Sequence, residues 1–283
     1  MDLSDIRVIK NILARHGFHF SKSLGQNFLI NPDICPRMAE ECGAQKGVGV
    51  LEIGPGVGVL TAELAKRADK VVSVELDKRL LPVLDDTLSG YGNIKIVNED
   101  ILKADLRKLI ETEFPGGEVA VCANLPYYIT SPVIMRFLEE RLPIRSVTVM
   151  VQKEAAERLC ALPGTRACGA VSAAVRYFAE PEVLFEVNRD NFFPPPNVDS
   201  AVIYLKIRKE PPVKVNREKD FFALVKAAFG QRRKTVLNAV SAGLSLDRAV
   251  VAAALERAGI APNARAEQLS MEQLAALSNE VFL

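Results

Sequence analysis

Short runs rich in Val and Ile alternate with segments of helical spacing through residue 178. The pattern predicts strands over residues 48–53, 70–75, 93–98, 118–123 and 146–151. Between and after them it predicts helices over 60–68, 78–88, 132–141 and 153–162, and one near 170–178. Continuous apolar strands interleaved with helices mean a mostly parallel sheet covered on both faces. Two later strands, 183–187 and 201–207, have no helix between them and are joined by the Pro-rich stretch 191–199. They are expected to pair as an antiparallel hairpin at the sheet edge. Ahead of the first strand the spacing predicts a helix over 3–16, then a second opened by Asn31-Pro32-Asp33 and running to about Cys42, with Asn31 as its cap.

Beyond Lys206 the composition changes. Arg208-Lys-Glu-Pro-Pro-Val-Lys214 reads as a linker, and the remainder of the chain has helical spacing without strand signals. The chain therefore divides into a domain over 1–207, with a helical extension over 1–47, and a smaller all-helical one over 208–283. The formal net charge is +1, so any nucleic-acid surface must come from local clustering. Such a cluster exists: between Lys206 and Lys234 ten Lys or Arg face three Asp or Glu, concentrated at Arg232, Arg233 and Lys234. A solvated helix start and a phosphate-contacting surface account for it equally well.

Five cysteines, odd in number and without a Cys-x-x-Cys pair, argue against a disulfide framework and a zinc site, and for a reducing, cytoplasmic setting. His16 and His19 are the only histidines, and with no Cys or carboxylate neighbours to complete a metal site they read as surface residues; no metal is expected. Neither a leader-like start nor an uncharged apolar run of membrane-spanning length is present, so a soluble protein is expected. A monomer is the default expectation.

The chemistry centres on Val48-Gly-Val-Leu-Glu-Ile-Gly-Pro-Gly-Val-Gly58, which reads as strand, tight turn and helix. Gly54 and Gly56 let the backbone approach a ligand closely. The spacing Gly-x-Gly-x-Gly departs from the Gly-x-Gly-x-x-Gly of dinucleotide binders and tilts away from a nicotinamide cofactor. Glu75 closes the second strand, where a nucleoside-binding domain places a carboxylate for ribose hydroxyls, and Asp100 follows the third, where an acceptor can take an adenine amino group. Each alone reads as readily as a surface acid; their shared register at the carboxyl ends of neighbouring strands raises the ligand reading.

The fourth strand ends in Asn124-Leu125-Pro126-Tyr127. With the glycine turn, this resembles the amino-group methyltransferases that use S-adenosylmethionine, in particular the ribosomal RNA adenine N6-dimethyltransferases, and most closely their small-subunit (16S) branch. Gln26-Asn-Phe-Leu29, Phe192-Phe-Pro-Pro-Pro-Asn-Val-Asp-Ser200 and Phe229-Gly-Gln-Arg-Arg-Lys-Thr235 match further elements of that family in the same order, over nearly the whole chain. The resemblance implies a Rossmann-like class I methyltransferase sheet of seven strands with a small helical C-terminal domain. It implies that Asn27, Leu29, Gly54, Gly56, Glu75, Asp100 and Asn124 contact S-adenosylmethionine, leaving S-adenosylhomocysteine as product. Asn124, Leu125, Pro126 and Tyr127 would hold the target adenine, with Phe192 stacking on its other face, although Phe193 beside it is a second candidate ring. Arg232, Arg233 and Lys234 would meet 16S rRNA in the immature small ribosomal subunit, aided by the stretch from Asn11 to Lys22.

An adenine N6 lone pair is delocalised into the ring, so an enzyme must localise it. The Asn124 side-chain oxygen and the Leu125 carbonyl can accept the two N6 hydrogens, and Pro126 biases Leu125 toward the extended backbone that presents its carbonyl. Three rivals share parts of the pattern. A large-subunit (23S) RNA adenine methyltransferase of the antibiotic-resistance type shares the Asn-x-Pro-aromatic element, but Asn-Leu-Pro-Tyr and Gln-Arg-Arg-Lys favour the small-subunit branch. A non-catalytic RNA-binding or assembly factor on the same fold predicts erosion of Glu75, Asp100 or the 124–127 set, which are intact. A DNA adenine methyltransferase leaves the basic helical C-terminal segment unexplained.

Overall fold

The structure, a computed structural model, describes residues 3–19 and 25–283. In chain order the elements are α1 (Ile6–Arg15), β1 (Phe28–Leu29), α2 (Ile34–Glu41), β2 (Val48–Ile53), α3 (Val59–Ala65), β3 (Lys70–Glu75), α4 (Leu81–Thr87) and β4 (Ile94–Asn98). There follow α5 (Leu106–Glu113), β5 (Glu118–Asn124), α6 (Thr130–Glu139), β6 (Ser146–Gln152), α7 (Lys153–Cys160), α8 (Ala170–Phe178), β7 (Ala179–Val187), β8 (Phe192–Phe193) and β9 (Ser200–Ile207). Four helices close the chain: α9 (Glu218–Phe229), α10 (Val236–Leu244), α11 (Arg248–Arg257) and α12 (Met271–Val281).

Seven strands form one sheet in the order β4-β3-β2-β5-β6-β9-β7. Every residue of β2 is buried, as a central strand covered on both faces requires. β2 pairs in parallel with both β3 and β5, and the chain proceeds outward first on one side and then on the other. That reversal opens a crevice at the carboxyl ends of β2 and β5. The register aligns those ends: Ile53 lies beside Val74 and Ala123, and Glu75 beside Asn98. The last strand of the sheet by sequence, β9, is not its edge; it lies antiparallel to β6, and β7 takes the outer position.

The molecule separates into two compact units, Met1–Ala156 with Glu180–Ile207, and Glu157–Ala179 with Arg208–Leu283. The division expected from composition put residues 157–179 with the sheet. Instead α8 belongs to the helical unit, because its aromatic end packs on α9: the Tyr177 ring lies 5.2 Å from Phe221 and 5.1 Å from Phe222, and Phe178 stacks 5.3 Å from Phe222. The buried Tyr177 hydroxyl is satisfied by donating to Glu218 (2.9 Å). Inside the same unit Gly243 lets α10 approach α9, since a Cβ there would sit 2.7 Å from that of Ala227.

Local differences from the sequence reading have simple causes. Asn31 does not cap α2; its side chain accepts from the Asp33 N–H (2.8 Å) to form a turn one step earlier, and the helix starts at Ile34. The sequence pattern does not reveal helix α5, which lies between the third and fourth strands and is capped by Asp105 accepting from the Lys108 N–H. Nor does it reveal the two-residue ladder in which Phe28 pairs with Phe193 and Leu29 with Phe192.

Candidate active site

A cavity of about 250 Å³ opens at the carboxyl ends of β2, β3, β4 and β5, just below the usual range for small-molecule sites. Apart from the alternative ring Phe193, every residue that the sequence proposed for cofactor or base lines it: Asn27, Leu29, Gly54, Gly56, Glu75, Asp100, Asn124, Leu125, Pro126, Tyr127 and Phe192. The parallel register brings in Gly54, Glu75, Asp100 and Asn124. The β1–β8 ladder brings in Asn27, Leu29 and Phe192 from segments more than a hundred and sixty residues apart in sequence.

The glycine turn is shaped by its neighbours. Gly54 has φ +68°, and a Cβ built on it meets nothing within 4 Å, so a side chain there would project into open cavity. Gly56, at φ +61°, lies against the Phe28 ring, which a Cβ would approach to 3.1 Å. The glycines thus keep space for a ligand on one side and for the first strand's aromatic on the other.

The electrostatics are one-sided. Glu52, Glu75, Glu99 and Asp100 line the cavity, and among the described residues no Lys or Arg does. A set of carboxylates around apolar walls suits a cationic or hydroxyl-bearing ligand and repels a pyrophosphate. Burial pushes the Glu75 carboxyl up to about 7, against the bonds it accepts from the N–H groups of Asp77 (2.7 Å) and Gly56. Burial likewise holds Glu52 up to about 7; the Ser73 hydroxyl donates to its Oε2 (2.6 Å), while Oε1 is a buried acceptor without a hydrogen-bond partner among the described residues. Asp100 uses one oxygen to accept from the Leu102 N–H (3.0 Å), which fixes the turn after β4.

On the other wall, Asn124 ends β5 and its Nδ2 donates to the Asn27 carbonyl (3.4 Å). Leu125 is buried, and its N–H donates to the Met150 carbonyl (3.3 Å), tying the loop to the next strand. The half-buried Tyr127 hydroxyl hydrogen-bonds Ser200 Oγ (2.9 Å), and burial raises the phenol above its ordinary range. Phe192 is buried and lines the cavity, whereas Phe193 carries the Lys10 ammonium 4.8 Å above its ring. Of the two rings, Phe192 is the one that lines this cavity.

Sequence reasoning stopped at Asp100 and missed Ile101 and Leu102, which form an apolar wall beside it; the signal was the apolar pair directly after the acid. It also gave no role to Gln26 or to Ser200, whose partners are remote in sequence. Arg232, Arg233 and Lys234 lie exposed in the turn that Thr235 closes as the cap of α10, in the helical unit. Of the stretch from Asn11 to Lys22, residues 20–22 lie outside the described residues. His16 pairs with Asp86 (3.1 Å), all five cysteines are free, and among the described residues no cluster of His, Cys, Asp and Glu could hold a metal and no helix is long and apolar enough to cross a membrane.

A family model, ribosomal RNA adenine dimethylase, matches residues 17–282. Ribosomal RNA small subunit methyltransferase A of Alkaliphilus oremlandii is 48% identical over 280 residues, spanning 99% of this chain and 98% of the relative. The protein of the same name from Geobacillus thermodenitrificans is 51% identical over 277 residues, spanning 96% and 94%. Among solved structures, the 23S rRNA methyltransferase ErmE matches with TM-score 0.70 at 31% identity, over 90% of this chain and 100% of that one. A dimethyladenosine transferase from Plasmodium falciparum matches with TM-score 0.71 at 26% identity, over 88% and 95%.

Proposed function

This chain belongs to the ribosomal RNA adenine dimethylase family, and on that premise we propose that it methylates N6 of two adjacent adenosines in a hairpin loop near the 3′ end of 16S rRNA. The methyl donor is S-adenosylmethionine and the product N6,N6-dimethyladenosine, formed on the immature small subunit. The observation that carries this reading is the cavity that joins a carboxylate-lined nucleoside site to an Asn-Leu-Pro-Tyr wall and a buried aromatic ring. The small-subunit name of relatives near 50% identity favours that RNA over the large-subunit one.

S-adenosylmethionine supplies an electrophilic sulfonium methyl group. Asn27, Leu29, Gly54, Gly56, Glu75 and Asp100 would hold it, Glu75 accepting from ribose hydroxyls and Asp100 from the adenine amino group, with Ile101 and Leu102 against the ring. The fit is electrostatic: four acids, with no cation among the described lining residues, suit a positively charged donor. Asn124 Oδ1 and the Leu125 carbonyl accept the two N6 hydrogens of the target base. This favours a tetrahedral nitrogen and stabilises the charge that develops on it. Neither group is a competent base, so the proton leaves to water and catalysis is positioning plus electrostatics. Tyr127 and Phe192 enclose the base and offset its extraction from the RNA by ~1–3 kcal/mol per stacking contact. The exposed Arg232, Arg233 and Lys234 meet RNA phosphates, and the enzyme acts as a monomer.

The test is transfer of labelled methyl groups to immature small subunits, large-subunit RNA and duplex DNA, followed by digestion to nucleosides. Dimethyladenosine on small-subunit RNA alone, lost in Asn124→Ala, is the expected result. Label on large-subunit RNA, or binding without transfer, refutes the reading.

A further inference from the structure

Gln26 lines the cavity, and the bond its side chain makes to Asp77 plays no part in the proposed reaction. Asp77, two residues beyond Glu75, is buried. Its Oδ1 accepts from the Arg79 N–H (3.1 Å) and Nε (2.8 Å), and its Oδ2 from Arg79 Nη2 (2.6 Å) and Gln26 Nε2 (2.9 Å). The Arg79 guanidinium holds this carboxyl below its ordinary range, so Asp77 stays an acceptor at neutral pH. Capping the turn at Lys78–Leu80 accounts for the bond from the Arg79 N–H. It does not account for the bond from Gln26, fifty-one residues away in sequence.

Gln26 immediately precedes Asn27, whose main-chain carbonyl accepts from Asn124 Nδ2 (3.4 Å). A carboxamide has one donor end and one acceptor end. With Nδ2 committed to a carbonyl, Oδ1 is the end that serves a substrate amino group. A flipped amide would set two oxygens against each other and offer N–H groups to an N–H donor. We propose that Asp77 and Gln26 are a positioning pair, which holds the Asn27 carbonyl where it fixes the Asn124 amide with its oxygen toward the target N6. The pair acts through the backbone of residues 26–27 and touches neither reacting atom. This inference rests on the adenine N6 reading and adds to it the device that selects one of the two amide orientations.

A reversal of the bond tests it. Gln26→Glu sets a second carboxylate against Asp77, and Asp77→Asn turns a donor toward Arg79. In the double variant the new amide at position 77 is not opposed, because it donates to the carboxylate at position 26 while Arg79 retains acceptors. Each single variant should lower the single-turnover rate at saturating cofactor about tenfold, the equivalent of about 1.4 kcal/mol. The double variant should return to within about threefold of wild type, a coupling that independent sites do not show. The dissociation constant for S-adenosylhomocysteine, by calorimetry, should change by less than about threefold, and the Tm, lowered by at most a few degrees in the single variants, should not track the rate across the three variants, separating positioning from loss of fold. Single variants with wild-type rates, a double variant as slow as the product of the singles, or rate losses that follow Tm and ligand affinity would each overturn the proposal. Wild-type protein that leaves small-subunit RNA unmethylated would overturn the functional reading itself, before any variant is compared.

Discussion

Acidification should weaken cofactor binding, and Glu75 sets the size of the effect. Burial pushes its carboxyl up to about 7 in the free protein. Hydroxyl donors from a ribose favour the charged form, so binding draws this pKa down and releases a proton whenever the free carboxyl is protonated. With the bound carboxyl returned to the ordinary Glu range, the apparent dissociation constant should be ~10-fold larger at about pH 6 than at about pH 8, a difference of ~1.4 kcal/mol. The assay is calorimetric titration of S-adenosylhomocysteine at both pH values, in two buffers of different ionisation enthalpy, so that proton release appears as a buffer-dependent heat. Glu75→Gln should bind more weakly at the higher pH and lose the pH-dependent part. The ligand's own titrating groups are common to both proteins, so the difference between them isolates Glu75. A wild-type affinity equal at both pH values refutes the argument. A tenfold ratio that survives in Glu75→Gln refutes it too, and transfers the linkage to Glu52, which burial also holds up to about 7 in the same cavity.

The same two acids predict the pH dependence of the ligand-free fold. Both bind protons more tightly folded than unfolded, so their stabilising contribution is complete below the ordinary Glu range and is lost as pH rises to about 7. Each should make the free protein ~1.4 kcal/mol more stable at about pH 6 than at about pH 8, read as a higher Tm that Glu52→Gln partly removes. Tyr127→Phe keeps the stacking ring but loses the bond to Ser200, and should reduce stability by ~1 kcal/mol with little change in methylation rate; Tyr127→Ala should lower kcat/KM by ~10–100-fold. Neutralising Arg232, Arg233 and Lys234 together should flatten the salt dependence of RNA binding by up to about three ion equivalents, measured as the slope of log affinity against log salt. A monomethylated adenosine has only one N6 hydrogen for the two acceptors, so single-turnover transfer should be slower for the second methyl group than for the first; equal rates would contradict the two-acceptor account.

The alternation of apolar strands and helices, the glycine turn and the acids after the second and third strands were legible because they are local. Strand period, turn chemistry and a carboxylate just past a strand end are each written within a few residues, and a parallel sheet necessarily collects its strand ends on one edge. The family elements around Asn27, Asn124 and Phe192 were legible as motifs, without a physical account of why residues so far apart belong together. That account is tertiary. A two-residue ladder, too short to leave a periodic signal, pairs Leu29 with Phe192 and brings both to the cavity. The assignment of α8 to the helical unit was equally invisible, since an amphipathic stretch records that it has an apolar face but not which partner covers it. The sequence determined which chemistry the chain carries. Only the fold decided that burial raises the Glu75 carboxyl and that the Asn27 carbonyl, with Gln26 held by Asp77, lies against Asn124, because burial and hydrogen bonds between remote segments exist only once the chain has closed on itself.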